Sequence, residues 1–174
     1  MPKKILITGG VKSGKSRHAL ELAKQIKGKK LYLATAESLD QEMHARISAH
    51  QKERGRDFKT VEEPVHLSRC IKELETKNPS VIVIDCVTLW LNNLFFYCGK
   101  SPKKIQDEQD RFLKALGTTK TDLILITNEI GLGIIPDRTL NRNFMEQLGM
   151  LNYKIADTCD EVIFMVSGIP LKLK

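Results

Sequence analysis

The sequence predicts an α/β fold, a mostly parallel sheet with helices on both faces. Five short runs, Ile5–Ile7, Leu31–Ala34, Val81–Ile84, Leu123–Ile126 and Val162–Val166, are rich in Ile, Val and Leu. They show no polar alternation, which is the pattern of strands buried on both faces. Segments of helical spacing separate them, and such βα alternation builds parallel sheets. On the first of these, Ser16–Lys27, the residues Ala19, Ala23 and Ile26 form an apolar stripe at i, i+4, i+7. A second helix is expected over Asp40–Arg54. A third runs over about 65–74 and ends before Asn78-Pro79. Two more are expected near 87–97 and 103–116, and a last one near 137–156. Loops fall at about 35–39, 54–64, 98–102, 117–121 and 131–137. No internal repeat or low-complexity tract is present.

The length, 174 residues, suits one domain spanning 1–174. Hydrophobic residues at 41% and charged residues at 28% are ordinary for a soluble globular protein. The net charge of +7 is unevenly placed. Residues 1–30 hold nine bases and one acid, and the remainder is balanced to within one charge. A localised excess asks first for a local anion, not for nucleic acid. Cys70, Cys86, Cys98 and Cys159 form no CxxC and no zinc-finger spacing, so they read as reduced thiols packed in a cytoplasmic protein. The apolar run before Gly9 is too short for a signal-peptide core. Val87–Cys98, interrupted by Thr88, Asn92 and Asn93, is too short to span a bilayer.

Gly9-Gly10-Val11-Lys12-Ser13-Gly14-Lys15-Ser16 fits G-x-x-x-x-G-K-[ST], between a strand and a helix. Glycines let successive N–H groups curl around phosphate oxygens, and the helix N-terminus adds partial positive charge. Lys15 should reach the β/γ-phosphates and Ser16 should ligate Mg²⁺. This makes the fold a P-loop NTPase. The second carboxylate such proteins need ends a hydrophobic strand in Val81-Ile82-Val83-Ile84-Asp85, and Asp85 would hold the metal directly or through water. Thr127-Asn128-Glu129 follows another strand, at the carboxyl edge where open α/β sheets bind ligands. For Glu129 a site role and a loop role both stand.

His50 lies four residues from both Arg46 and Arg54 in the expected helix, so all three share a face. Two cations should keep the imidazole neutral and nucleophilic, and could hold a phosphate for its attack. A surface helix with that spacing by chance is the alternative.

Several strings go beyond a phosphate loop. Lys15-Ser16-Arg17-His18-Ala19 is followed by Tyr32-Leu33-Ala34-Thr35-Ala36-Glu37. Asp40, Met43, Arg46-Ile47, His50, Arg54, Thr60, Glu62 and Pro64 come next, then Ile84-Asp85-Cys86-Val87-Thr88-Leu89-Trp90-Leu91-Asn92-Asn93-Leu94. Thr127-Asn128-Glu129-Ile130-Gly131-Leu132-Gly133-Ile134-Ile135-Pro136 is the most diagnostic. With these the chain resembles, nearly end to end, the bifunctional adenosylcobinamide kinase/adenosylcobinamide-phosphate guanylyltransferase family of cobalamin biosynthesis. The resemblance implies a RecA-like fold with an antiparallel strand near the C-terminal end. It implies ATP and GTP as substrates, a corrinoid as acceptor and a homotrimer. It makes His50 the residue that carries GMP, and places Thr35, Ala36, Glu37, Arg54 and Glu62 near the nucleotide. The chain departs from the family's usual residues at Lys12 (Arg), Phe58 (Trp), Leu20 (Glu), Met145 (Arg), Met150 (Arg) and Tyr153 (Gln). Losing two bases at 145 and 150 bears on the anionic substrate or on a subunit neighbour. An enzyme with one of the two activities, or a RecA-like NTPase module coupled to nucleic acid, are the competing readings. The stretch Trp90–Phe96 fits either a subunit contact or core.

Overall fold

The computed structural model describes residues 2–38, 41, 51, 54–99 and 101–174. Among the described residues seven strands form one sheet: β1 (Lys4–Gly9), β2 (Lys30–Ala34), β3 (Phe58–Glu62), β4 (Val81–Asp85), β5 (Asp122–Ile126), β6 (Glu161–Val166) and β7 (Ile169–Lys172). Their spatial order is β3-β2-β4-β5-β1-β6-β7. Every pairing is parallel except β6 with β7. The described helices of the α class are α1 (Lys15–Gln25), α2 (Leu67–Glu75), α3 (Val87–Tyr97), α4 (Pro102–Thr118) and α5 (Thr139–Thr158). Gln41, Gln51 and Arg54 are helical, and the rest of the helix expected over Asp40–Arg54 lies outside the described residues.

Strand alternation sorts the core into two layers. Ile5, Ile7, Tyr32, Val83, Ile124 and Ile126 face α1, where Ala19 and Ala23 are fully buried. Their small side chains let α1 lie close on the strands. Leu6, Leu33, Ile82, Ile84 and Leu125 face the opposite layer, built by α2, α3, α4 and α5. Trp90 and Phe112 are fully buried there, their rings 4.8 Å apart. The Trp90 indole N–H donates to the Val65 carbonyl at 2.7 Å, so this large residue buries no unpaired donor. Trp90, Leu91 and Leu94 are therefore core, while Phe96 is exposed.

The five apolar runs are all strands, each matched to within a residue or two. The reading of 54–64 as loop is corrected: it holds a 3₁₀ turn (Gly55–Asp57) and the edge strand β3. In β3 only Phe58 is buried, so a search for continuous apolar runs passes over it. The antiparallel strand implied by the resemblance is β7, a fully exposed edge. The four cysteines are free thiols, and Cys70, Cys86 and Cys159 are buried. Among the described residues no helix is long and apolar enough to cross a membrane.

Candidate active site

The phosphate loop leaves β1 and enters α1 through three positive φ angles, at Gly9 (148°), Lys12 (55°) and Gly14 (94°). Two fall on glycine; at Lys12 an ordinary residue takes a left-handed conformation, local strain that suits a loop built for a ligand. Gly9 is required twice over. A Cβ there would stand 2.5 Å from the Met165 carbonyl oxygen on β6. The turn between β6 and β7 closes on the loop, where the Gly168 N–H donates to Ser13 O at 3.0 Å. Val11 and Lys12 are exposed at the tip, while Ser13 and Lys15 are buried. The Lys15 ammonium lies inside the loop, donating to Gly10 O at 2.5 Å and to Ser13 Oγ at 3.5 Å.

Asp85 ends β4, two strands from β1. It accepts from Ser16 Oγ at 3.0 Å and from the Tyr32 hydroxyl. Arg54 stacks its guanidinium 3.6 Å from the Tyr32 ring centroid, a desolvated cation on an aromatic face. Burial first, then the Asp85 charge, raises the Tyr32 hydroxyl far above its ordinary pKa, with Arg54 opposing. Tyr32 is thus a permanent donor that fixes Asp85. Arg54 is itself buried, with Nη1 3.5 Å from Thr60 Oγ1 and Nε unpartnered among the described residues. An unpaired buried guanidinium N–H is unfavourable, and a phosphate oxygen is the acceptor it suits.

Thr35 continues β2 and is fully buried. Its hydroxyl exchanges bonds with the Cys86 backbone, donating to the carbonyl and accepting from the N–H, both at 2.8 Å. Asn93 of α3 donates to the Thr35 carbonyl at 2.8 Å. Thr35 thereby locks the ends of β2 and β4 together beside Asp85. Ala36 is half-buried. Glu37 accepts from the Tyr97 hydroxyl at 2.9 Å. Glu62 is exposed at the end of β3, opposite Ala34. The loop residues 9–16 and Asp85 are brought together; Glu37 and Glu62 lie further along the same carboxyl edge. His50, with Asp40, Met43, Arg46 and Ile47, lies outside the described residues.

Two sets of contacts are not legible in the sequence, although Thr127 and Asn128 themselves are placed at this edge by it. Those of Tyr32 are one, even though a lone tyrosine in a buried strand signals a hydroxyl that needs a partner. The other is a buried polar cluster behind β5. Thr127 donates to Asn152 Oδ1 at 2.8 Å and lies 3.3 Å from the Thr88 hydroxyl. The Asn128 N–H donates to Thr88 Oγ1 at 2.8 Å, and Asn152 Nδ2 donates to Asn128 O at 3.1 Å. These partners lie 24 to 40 residues apart.

The described groups converge on one edge, around a loop shaped for phosphate and a carboxylate beside its serine. With β5 inserted between the loop strand and the Asp85 strand, they define a P-loop NTPase of RecA-like architecture. Solved structures agree on the fold. An ATPase from the type III secretion system of pathogenic bacteria superposes at TM-score 0.57 and 12% identity, over 93% of this chain and 50% of that one. The VirB11 ATPase of the Brucella suis type IV system superposes at 0.51 and 11%, over 99% and 48%. This chain spans about half of each.

Sequence comparison narrows the class. The chain belongs to the cobinamide kinase / cobinamide phosphate guanyltransferase family, which it matches over residues 5–173. It is 38% identical to the bifunctional adenosylcobalamin biosynthesis protein CobP of Pseudomonas aeruginosa, over 97% of this chain and 96% of that protein. It is 38% identical to CobU of Escherichia coli and 37% identical to CobU of Salmonella typhimurium, each over 98% of this chain and 99% of the relative.

Proposed function

We propose that this chain, as one catalytic domain over residues 1–174, carries out two successive transfers in cobalamin biosynthesis. The first moves the γ-phosphate of ATP or GTP to the side-chain hydroxyl of adenosylcobinamide. The second joins GMP from GTP to that phosphate through guanylylated His50, releasing pyrophosphate. The observation that carries this reading is the match at 37–38% identity, along nearly the whole chain, to relatives named as bifunctional adenosylcobalamin biosynthesis proteins.

The geometry supports the same chemistry. Gly9, Gly10, Val11, Lys12, Ser13, Gly14, Lys15 and Ser16 cradle the triphosphate, with Lys15 neutralising charge that builds on the leaving oxygens. Ser16 Oγ and Asp85 Oδ2, 3.0 Å apart, are a hydroxyl and a carboxylate that suit a hard cation with oxygen ligands. Mg²⁺ held by Ser16 and Asp85 would supply further charge neutralisation on the triphosphate. Tyr32 keeps the Asp85 carboxylate aimed. Arg54 offers its unpartnered Nε to a phosphate oxygen, while Thr35, Ala36, Glu37 and Glu62 frame the rest of the nucleotide. His50 supplies the neutral imidazole, which splits guanylyl transfer into two displacements.

The enzyme works as a homotrimer in the cytoplasm, with no nucleic-acid partner. Ile134, Ile135, Tyr153, Ile169 and Leu171 are among the exposed apolar side chains that contact between copies would cover. The reading is tested by supplying purified protein with cobinamide and ATP, then with GTP. Cobinamide phosphate followed by GDP-cobinamide is expected. A protein that makes one product only is monofunctional, and one that makes neither overturns the reading.

A further inference from the structure

We infer that Glu129 is the general base of the phosphorylation step, accepting the proton of the acceptor hydroxyl as it attacks the terminal phosphate. This inference rests on the kinase half of the proposed function.

Strand order decides between the carboxylates at this edge. β3, β2, β4 and β5 stand four, three, two and one positions from the loop strand β1. At a strand spacing of about 4.8 Å, Glu62 and Glu37 start about 19 Å and 14 Å from β1, and Asp85 about 10 Å. Glu129, just past β5, starts about 5 Å away. Asp85 is also committed, accepting from both Ser16 and Tyr32.

Glu129 is tied directly to the phosphate loop. Its backbone N–H donates to Gly9 O at 3.1 Å. Among the described residues its half-buried carboxylate accepts one long bond, from Thr8 Oγ1 at 3.5 Å, which leaves acceptor capacity for a substrate hydroxyl. Ile5 and Ile7 of β1 face α1, and Leu6 faces the opposite layer. Thr8 alternates with Ile7, so the carboxylate beside it sits across the sheet edge from α1. A nucleotide cradled by the loop and the α1 N-terminus would approach from the other face, so an acceptor meeting its terminal phosphate beside Glu129 need not displace it.

The backbone leading to Glu129 is held more firmly than a loop requires. Thr88, Thr127 and Asn152 are buried polar residues, and together they fix the backbone of Asn128 on both its N–H and its carbonyl. Fully satisfied buried networks of this kind rigidify what they hold. Here they hold the residue before Glu129.

In the step, the acceptor oxygen forms a bond to the γ-phosphorus as its proton passes to Glu129. The bond from that phosphorus to the β,γ-bridging oxygen breaks, and the nucleoside diphosphate leaves with the electron pair. The proton returns to solvent after product release. Guanylylation of a neutral imidazole needs no such base, so the two activities should separate.

The test compares wild type, Glu129→Gln and Thr8→Val in two assays: phosphorylation of cobinamide by ATP, and labelling of the protein by α-labelled GTP. Glu129→Gln keeps the shape and the Thr8 contact. It should lose about 100-fold or more in phosphorylation rate and keep labelling within about threefold. Thr8→Val keeps the carboxylate and should lose less than about tenfold. Three results would overturn the inference: Glu129→Gln phosphorylating at the wild-type rate, Glu129→Gln losing both activities together, or Thr8→Val matching the loss of Glu129→Gln. A wild-type protein that is labelled but never phosphorylates cobinamide overturns the kinase half of the proposed function, and this inference with it.

Discussion

Replacing Gly9 with alanine should damage the fold itself, and the size of the loss follows from β1 and β6. Gly9 pairs with Met165 across those parallel strands. The new Cβ would meet the Met165 carbonyl oxygen at 2.5 Å, Ser13 Oγ at 3.0 Å and the Met165 nitrogen at 3.2 Å. Two of these three atoms are backbone in the sheet and cannot swing aside. Relief requires β1 and β6 to part or the loop to leave its φ of 148°. Overpacking of this kind costs about 1–3 kcal/mol, and forcing a side chain into a disfavoured φ costs a similar amount. Together they predict about 2–6 kcal/mol of lost stability. In a domain of this size that is a fall in Tm of about 5–15 °C. Urea denaturation of wild type and variant gives the difference directly. Gly10→Ala is the internal control, since nothing lies within 4 Å of a Cβ at position 10. It should cost less than about 1 kcal/mol. A Gly9→Ala protein as stable as Gly10→Ala would refute the steric reasoning.

Three further outcomes follow. Tyr32→Phe removes the donor that fixes Asp85 and should weaken Mn²⁺ binding, read by electron paramagnetic resonance with nucleotide present, by about tenfold, with the fold intact; unchanged affinity would remove Tyr32 from the site. Hydrogen bonds from Lys172 and Lys3 hold the Glu161 carboxyl below its ordinary range. The stabilisation is therefore fully present above the unfolded value of about 4.3 and is lost as pH falls through the lower folded value. The stability gap between wild type and Glu161→Gln should close along that acid limb, and a constant gap down to pH 2 would contradict the linkage. Burial pushes the thiols of Cys70 up to about 11 and of Cys86 and Cys159 up to about 12. Burial and the Glu108 charge also raise Cys98, but it is only half-buried, so a thiol reagent at pH 8 should modify Cys98 ahead of the other three in the folded protein, and all four after denaturation.

The limits of legibility have physical causes. The five central strands were readable because burial on both faces leaves continuous apolar runs. β3 escaped because an edge strand buries little, and its Lys59 and Thr60 look like loop. The phosphate loop was readable because its chemistry is contiguous in sequence. Asp85 was readable as the polar end of an apolar run. Its support was not: Tyr32 lies 53 residues away, and only the pairing of β2 with β4 joins them. The cluster around Thr127 is hidden for the same reason, since Thr88 and Asn152 reach it from two different helices. For Glu129, position along the edge was legible, but its adjacency to β1 came only from the insertion of β5. The basic N-terminal segment also divides in two. Lys15 is drawn into the phosphate loop, while Lys24, Lys27 and Lys29 are exposed around the end of α1, where positive charge favours the helix dipole.

Guanylyl transfer through His50 requires a covalent intermediate on that residue, formed from a nucleotide held by the phosphate loop. Incubation with GTP labelled at the α-phosphate would trap it. The expected result is a protein-bound label that is acid-labile and alkali-stable, as a phosphoramidate is, present in wild type and absent in His50→Ala. Full labelling of His50→Ala, or no labelling of the wild type, would contradict it.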